Sequence, residues 1–228
     1  YRFTQLATNS VVINGDNEHT TSTIKDLNVP IITFGIENDC DYVGVNIRKE
    51  HKSFYSFDVQ HKGEIIATVH LSIPGRHNVY NALCAMCVGK KMGFTLSEAA
   101  NALKNFAPEG MRQNVREVKS YTFIEDCYNA NPDSMKASLI TLNTIKKTRS
   151  IAVLGDMLEL GDYSDTAHYE VGKIAGDVKT DIVLTFGSLS RLIKKGAEEN
   201  GAESYSFNDK SELISFLKSI LKEKDTVL

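Results

Sequence analysis

The sequence has little of what marks secreted, membrane-bound or nucleic-acid-binding proteins. Its net charge at pH 7 is only −3, so no excess of one sign predicts binding to nucleic acid or to a membrane surface. No apolar run approaches the ~18 residues of a membrane span, and no signal peptide is recognisable. The four cysteines among 228 residues are too few for a disulfide framework, which fits a reducing, cytoplasmic environment.

Motifs for several common chemistries are also missing. The chain has no phosphate loop of the G-x-x-x-x-G-K-[ST] type, no G-x-G-x-x-G fingerprint and no G-x-S-x-G nucleophile elbow. Cys84 and Cys87 form a C-x-x-C pair, but they lie in an apolar helical run with no second ligand pair nearby. We therefore expect two buried helix cysteines rather than a metal or redox site, and predict no metal ligand in this chain.

Residues 1–108 are predicted to form a strand-rich region followed by two helices. Strands are expected at residues 11–14, 30–35, 42–48, 53–59 and 64–73. The polar–apolar alternation of the last three favours an antiparallel meander at one edge of a sheet. Helices follow at residues 78–91 and, from the capping box of Thr95 and Glu98, to about residue 106. Pro108 and Gly110 interrupt the pattern, so we place a domain boundary near residue 108.

Residues 109–228 alternate between strand and helix patterns. Strands are expected at residues 121–127, 150–154, 181–186, 204–207 and 226–228, and helices at residues 132–146, 166–176, 189–200 and 210–221. Repeated β-α units with short connections predict a Rossmann-like α/β domain with a doubly wound, mostly parallel sheet. Ligands of such sheets bind outside the carboxyl ends of the strands, which is where candidate residues are sought.

Three groups of residues could hold a nucleotide. Asn78 and Asn81 lie three apart at a helix start, and asparagine amides can pair with adenine edges; alternatively Asn78 caps the helix and Asn81 is solvated. Arg112 offers a fork for phosphate, or is a solvated surface arginine. Asp126, at the end of a predicted strand, could accept from ribose hydroxyls. It is followed by the helix start at Asn131 and Pro132, so an ordinary capped turn is the alternative.

The loop of residues 154–161 is a candidate for the substrate side. Asp156 and Glu159 could accept hydrogen bonds from an amino group, although a plain connecting loop has the same composition. His168, on the helix that follows, is expected to lie on the helix surface rather than to act as a base.

Together these residues resemble the Mur ligase family. The H-N-x-x-N-A stretch, with His77, Asn78 and Asn81, resembles the family's adenine-reading element. Arg112 is similar to its nucleotide-contacting arginine, and Asp126 to its ribose-binding aspartate. The resemblance implies an ATP- and Mg²⁺-dependent ligase of bacterial peptidoglycan synthesis that forms amide bonds through an acyl phosphate, in the cytoplasm, as a monomer when complete.

Two longer strings resemble one branch of that family. They are D-x-Y-N-A-N-P-x-S-M at residues 126–135 and L-G-D-M-x-E-L-G at residues 154–161, and residues 14–17 resemble the central-domain turn N-x-D-[DN]. This branch joins UDP-N-acetylmuramoyl-tripeptide to D-alanyl-D-alanine. On the substrate side the resemblance suggests Tyr128, Asn129, Asn131, Asp156 and Glu159.

The resemblance also implies an incomplete enzyme. The chain begins at Tyr1 rather than Met. Residues 1–108 are similar to the second half of the central ATPase domain, and residues 109–228 to most of the C-terminal domain. We expect the phosphate loop and metal ligands to lie upstream, so these 228 residues alone should not catalyse. Two alternatives stay open: another amide ligase of the Mur or folylpolyglutamate type, and a non-catalytic Rossmann-like nucleotide-binding module.

Overall fold

A computed structural model of the chain describes residues 2–22, 24, 27–50 and 54–228. The chain divides into two compact units, Tyr1–Ala107 and Pro108–Leu228. Ser53, where one predicted strand begins, lies outside the described residues. Within the described part, no helix is long and apolar enough to cross a membrane.

The first unit is built on a five-stranded sheet. Its elements are α1 (Arg2–Gln5), β1 (Val11–Asn14), α2 (Glu18–Thr21), β2 (Ile31–Gly35), β3 (Tyr42–Lys49), β4 (Tyr55–His61), β5 (Glu64–His70), α3 (Asn78–Lys91) and α4 (Leu96–Lys104). The strand order is β1-β2-β3-β4-β5. The antiparallel meander predicted for residues 42–73 is confirmed in β3, β4 and β5. The pairs β1–β2 and β2–β3 are parallel, so this sheet is mixed.

Helix α3 packs on this sheet through a stripe of buried residues with helical spacing. The stripe consists of Val79, Ala82, Leu83, Met86 and Cys87. Spacings of three and four residues place these side chains on one face of the helix. Burial raises the pKa of the Cys87 thiol to about 12, and all four cysteines are free. Cys87 is therefore a buried core residue as predicted, while its neighbour Cys84 is only half-buried.

The second unit is built on a six-stranded sheet. Its elements are β6 (Asn114–Val118), β7 (Tyr121–Glu125), α5 (Pro132–Ile145), β8 (Ser150–Gly155), α6 (Ser164–Asp177), β9 (Ile182–Phe186), α7 (Arg191–Glu199), β10 (Glu203–Phe207), α8 (Lys210–Ile220) and β11 (Thr226–Val227). The strand order is β10-β9-β8-β11-β7-β6. All neighbouring pairs are parallel except β6–β7. The predicted mostly parallel α/β fold is confirmed, and strand β6 was not predicted.

Apolar side chains cover both faces of the second sheet. Neighbouring residues of one strand point to opposite faces: Ala152 belongs to one cluster with residues of α5, α6 and α7, whereas Ile151 belongs to another with residues of α8. Strand β11 lies in the middle of the sheet, between β7 and β8. The strands whose ends lead to Asp126 and Asp156 are thus covered by apolar core residues on both faces of the sheet.

Candidate functional site

Asp126 directly follows strand β7 at the carboxyl edge of the second sheet. The half-buried carboxylate accepts a hydrogen bond from the backbone N–H of Gln113 at 3.3 Å and another from the hydroxyl of Ser138, on helix α5. One bond to each carboxylate oxygen fixes the orientation of the group and leaves further acceptor capacity on both oxygens. Ser138 was not singled out in the sequence, because only the folded helix brings it to Asp126.

Arg112 lies beside Asp126 because residues 111–113 run along residues 126–128. The carbonyl of Met111 accepts hydrogen bonds from the backbone N–H groups of Cys127 (2.9 Å) and Tyr128 (3.2 Å). The guanidinium carbon of Arg112 then lies 3.8 Å from the centre of the Tyr128 ring. The structure thus brings together three residues that were candidates in the sequence, Arg112, Asp126 and Tyr128. The guanidinium of Arg112 lies over the ring of Tyr128.

The start of helix α5 has the cap predicted from Asn131 and Pro132. The Asn131 side chain accepts from the backbone N–H of Ser134 at 2.9 Å, and the Ser134 hydroxyl accepts from the backbone N–H of Asn131 at 3.1 Å. Pro132 is the first helical residue. The Asn129 side chain accepts from the backbone N–H of Ala130 at 2.9 Å. Both asparagines therefore shape the loop that leads into α5.

Asp156 connects the ends of two neighbouring parallel strands. Its carboxylate accepts hydrogen bonds from the backbone N–H groups of Ser188 (3.1 Å), Leu189 (3.1 Å) and Ser190 (2.7 Å), in the loop after β9. Gly187 opens this loop with φ +119°, and a Cβ there would overlap the Asp156 carboxylate. Asp156 is therefore engaged with backbone, which the sequence did not reveal, while Glu159 is exposed.

His168 is fully buried, so the expectation of a helix-surface histidine was wrong. Its Nε2 accepts from the backbone N–H of Met157 at 2.9 Å, and its Nδ1 lies 2.7 Å from the carbonyl oxygen of Ser164. Because Nε2 is an acceptor, Nδ1 carries the proton and donates to Ser164. The imidazole holds the loop after β8 against helix α6.

In the first unit, Asn78 and Asn81 do lie on one face of helix α3. Asn78 is buried and donates to the carbonyl of Pro74 at 2.6 Å, while Asn81 is exposed and donates to the Asn78 side chain at 2.9 Å. The cap position is occupied by His77, whose side chain makes no capping bond. Asn78 is therefore the first helical residue rather than the cap.

Asp16, in the turn of residues 14–17, is a second carboxylate engaged with backbone. It accepts from the N–H groups of Ile36 (2.7 Å), Glu37 (3.1 Å) and Asn38 (2.8 Å), and from the hydroxyl of Tyr80 (2.9 Å). Burial by itself raises the pKa of the Asp16 carboxyl, but these donors outweigh burial and hold it below the usual 3.8. Burial and the bond to Asp16 raise the pKa of Tyr80. Tyr80 thereby ties the first turn of α3 to this loop.

Two family models match the chain. One, described as the Mur ligase, glutamate ligase domain, matches residues 111–228, and the other, the Mur ligase middle domain, matches residues 3–89. The chain belongs to the Mur ligase family. The binding of nucleotide or substrate by its candidate residues remains a prediction.

Mur ligases similar to this chain are found both by sequence and among solved structures. The chain is 35% identical over 167 residues to the UDP-N-acetylmuramoyl-tripeptide–D-alanyl-D-alanine ligase of Bacillus subtilis (strain 168), covering 71% of this chain and 36% of the relative. A crystal structure of MurF from Acinetobacter baumannii superposes with a TM-score of 0.82 at 23% identity, over 96% of this chain and 48% of that one. MurF from Thermotoga maritima in complex with ADP gives 0.78 at 23% identity, over 96% and 49%.

At such identities these Mur ligase structures show the shared fold alone. The chain spans from about a third to a half of the length of the proteins that it matches. Among residues 2–22, 24, 27–50 and 54–228, no group of three or more His, Cys, Asp or Glu side chains is placed to hold a metal ion.

Proposed function

We propose that this chain is the nucleotide-contacting part of a ligase that joins UDP-N-acetylmuramoyl-tripeptide to D-alanyl-D-alanine at the expense of ATP. The observation that carries the proposal is the grouping of Arg112, Asp126 and Tyr128 beside the capped start of α5. The strings at residues 126–135 and 154–161 and the name of the Bacillus subtilis relative support this branch. The two units would then be the second half of the central ATPase domain and the C-terminal domain.

In the second unit, the chemistry of Asp126 and Arg112 fits a nucleotide. Asp126 is oriented by Gln113 and Ser138 and keeps acceptor capacity for ribose hydroxyls. Arg112 is exposed, and the edge of a guanidinium whose face lies on a ring still presents N–H donors for phosphate oxygens. We assign the ribose to Asp126 and a phosphate to Arg112.

In the first unit, the two asparagines take different roles. Asn78 uses its amide group on Pro74 and its oxygen on Asn81, so it orients Asn81. Exposed Asn81 is then the side chain that contacts the base. His77, at the cap position, is assigned to the nucleotide on the family resemblance.

On the acceptor side, Asp156 acts by holding the loop of residues 187–190 rather than by binding the dipeptide amine. Its three backbone donors support this role. Asn129 and Asn131 shape the loop that leads into α5, and exposed Glu159 is the remaining carboxylate for the amine.

The reaction proposed is amide formation through an acyl phosphate. The terminal carboxylate of the tripeptide takes the γ-phosphoryl group of ATP, and ADP leaves. The amine of D-alanyl-D-alanine attacks the acyl carbon and loses a proton, and phosphate leaves from the tetrahedral intermediate. Family resemblance implies Mg²⁺ for the complete enzyme, but the described residues supply no metal cluster, so no step is assigned to it.

The test is release of ADP by the natural polypeptide that contains this chain. Release should require both UDP-N-acetylmuramoyl-tripeptide and D-alanyl-D-alanine, and L-alanine or L-glutamate should not replace the dipeptide. Asp126→Asn should raise the KM for ATP at least severalfold. Because the 228 residues contain no phosphate-loop motif, they should release no ADP by themselves. Nucleotide binding without turnover in the natural polypeptide would favour the non-catalytic alternative.

A further inference from the structure

The Arg112 guanidinium stacks on an aromatic ring at the surface. Its carbon lies 3.8 Å from the centre of the Tyr128 ring, although 65% of Tyr128 is exposed. A free arginine at the surface samples many rotamers. The attraction of a cation to the face of a ring reduces this freedom, so Tyr128 restricts the plane and the position of the guanidinium.

Backbone hydrogen bonds on either side of Arg112 also support this stacking. The Met111 carbonyl accepts from the N–H groups of both Cys127 and Tyr128. On the other side of Arg112, Gln113 has φ +48° and donates its N–H to Asp126. Arg112 is therefore flanked by two residues that are bonded to the segment carrying Tyr128, which sets the distance between ring and guanidinium.

We propose that Tyr128 is a positioning residue for Arg112: its ring holds the guanidinium so that the donor edge is presented to a nucleotide phosphate. The inference rests on the proposed function, in which Arg112 binds phosphate. The ring occupies the face of the guanidinium, whereas phosphate oxygens take the in-plane N–H donors. The two partners do not compete, so stacking orders the arginine before the nucleotide arrives.

This role differs from the substrate-side role that the sequence suggested for Tyr128. A residue that contacts the acceptor should change the KM for D-alanyl-D-alanine. A residue that orders Arg112 should change the KM for ATP and leave the KM for the dipeptide unchanged.

The experiment is a double-mutant cycle on the natural polypeptide, with Tyr128→Leu, Arg112→Ala and both changes together. We expect Tyr128→Leu to raise the KM for ATP about two- to fivefold, the range of an exposed cation–ring contact, with the KM for dipeptide constant. The ring alone should suffice, so Tyr128→Phe should lie within about twofold of the wild type. In the Arg112→Ala background, Tyr128→Leu should have no further effect. Circular dichroism melting checks that each variant is folded.

Three results would overturn the inference: an unchanged KM for ATP in Tyr128→Leu, a raised KM for dipeptide, or an effect on ATP that persists without Arg112. Failure of the proposed function is a different result, because the wild type itself would then form no ligation product. In that case calorimetric titration with ADP completes the same cycle, and additive effects of the two substitutions, or absence of ADP binding to the wild type, would also overturn the inference.

Discussion

At the scale of single residues, the same device occurs in both units. A Gly-Asp pair lies at the carboxyl end of a parallel strand, and the aspartate carboxylate accepts hydrogen bonds from three backbone N–H groups in the loop after the neighbouring strand: Asp16 from residues 36–38 and Asp156 from residues 188–190. A glycine lies at the end of each neighbouring strand: Gly35 is the last residue of β2, and Gly187 directly follows β9. A Cβ on Gly35 would meet the carboxylate of Asp16, and a Cβ on Gly187 would meet that of Asp156. Each aspartate thus fixes two strand ends to each other at the carboxyl edge of its sheet, which is the edge where open α/β sheets generally bind ligands.

Asp156→Ala should loosen the loop after β9. Removing the carboxylate leaves three backbone N–H groups without their acceptor, and a hydrogen bond to a charged group contributes about 1.5–3 kcal/mol. Hydrogen–deuterium exchange should therefore accelerate in peptides that cover residues 187–192. The matched control is Glu159→Ala at an exposed site, which should leave exchange there unchanged. Equal protection in Asp156→Ala and wild type would show that the carboxylate does not hold this loop.

Asp16 should give the first unit an acid-sensitive component of stability. Its folded pKa lies below 3.8, so its contribution is complete above pH ~4 and disappears as the pH falls through the folded pKa. Asp16→Asn should lower the thermal midpoint at pH 7, and the difference from wild type should shrink at pH 3. Exposed Asp39→Asn is the control for the change in charge. A difference that is constant between pH 3 and pH 7 would contradict this assignment.

At the scale of elements, close packing of α6 and α7 depends on glycine. A Cβ at Gly172 would overlap the carbonyl of Ile193, and one at Gly196 would overlap the carbonyl of Tyr169. The backbones of these two helices therefore touch, and no side chain fits between them.

Gly172→Ala should destabilise the second unit, because overpacking of this kind costs about 1–3 kcal/mol. Gly89→Ala is the matched control, since Gly89 lies in helix α3 and its Cβ would stand 3.8 Å from Ala99. That change should stabilise the first unit by about 0.5–1 kcal/mol. Both changes in the free energy of unfolding are measured by urea denaturation of the two variants and the wild type. A destabilisation at Gly172 no larger than at Gly89 would contradict the packing described.

The sequence was sufficient for elements with strong local signals. Helix α3 was predicted with its observed bounds, and the caps of α4 and α5 follow from Thr95 and Asn131. Strand β6 was missed because it is a short, largely exposed edge strand with three polar residues in N-V-R-E-V. Sheet order was also beyond local patterns, since the central position of β11 comes from pairing with distant strands.

At the scale of the whole molecule, the sequence located the candidate residues but not their partners. Asp126 and Arg112 were predicted from motif and position, whereas the contacts of Ser138 with Asp126 and of Tyr128 with Arg112 depend on the folded chain. The position of His168 also depends on the folded chain, since the residue is fully buried and accepts a hydrogen bond from the N–H of Met157. Tertiary contacts thus changed three expectations: we propose Tyr128 and Asp156 as positioning residues, and His168 is a buried core residue.

The most direct test of the proposed function is the mass of the product formed by the natural polypeptide with ATP, UDP-N-acetylmuramoyl-tripeptide and D-alanyl-D-alanine. We predict a nucleotide-linked product heavier than the tripeptide substrate by one dipeptide less one water, formed in equal amount with ADP. A product that carries a single amino acid, or no product with an enzyme that still binds ADP, would contradict it.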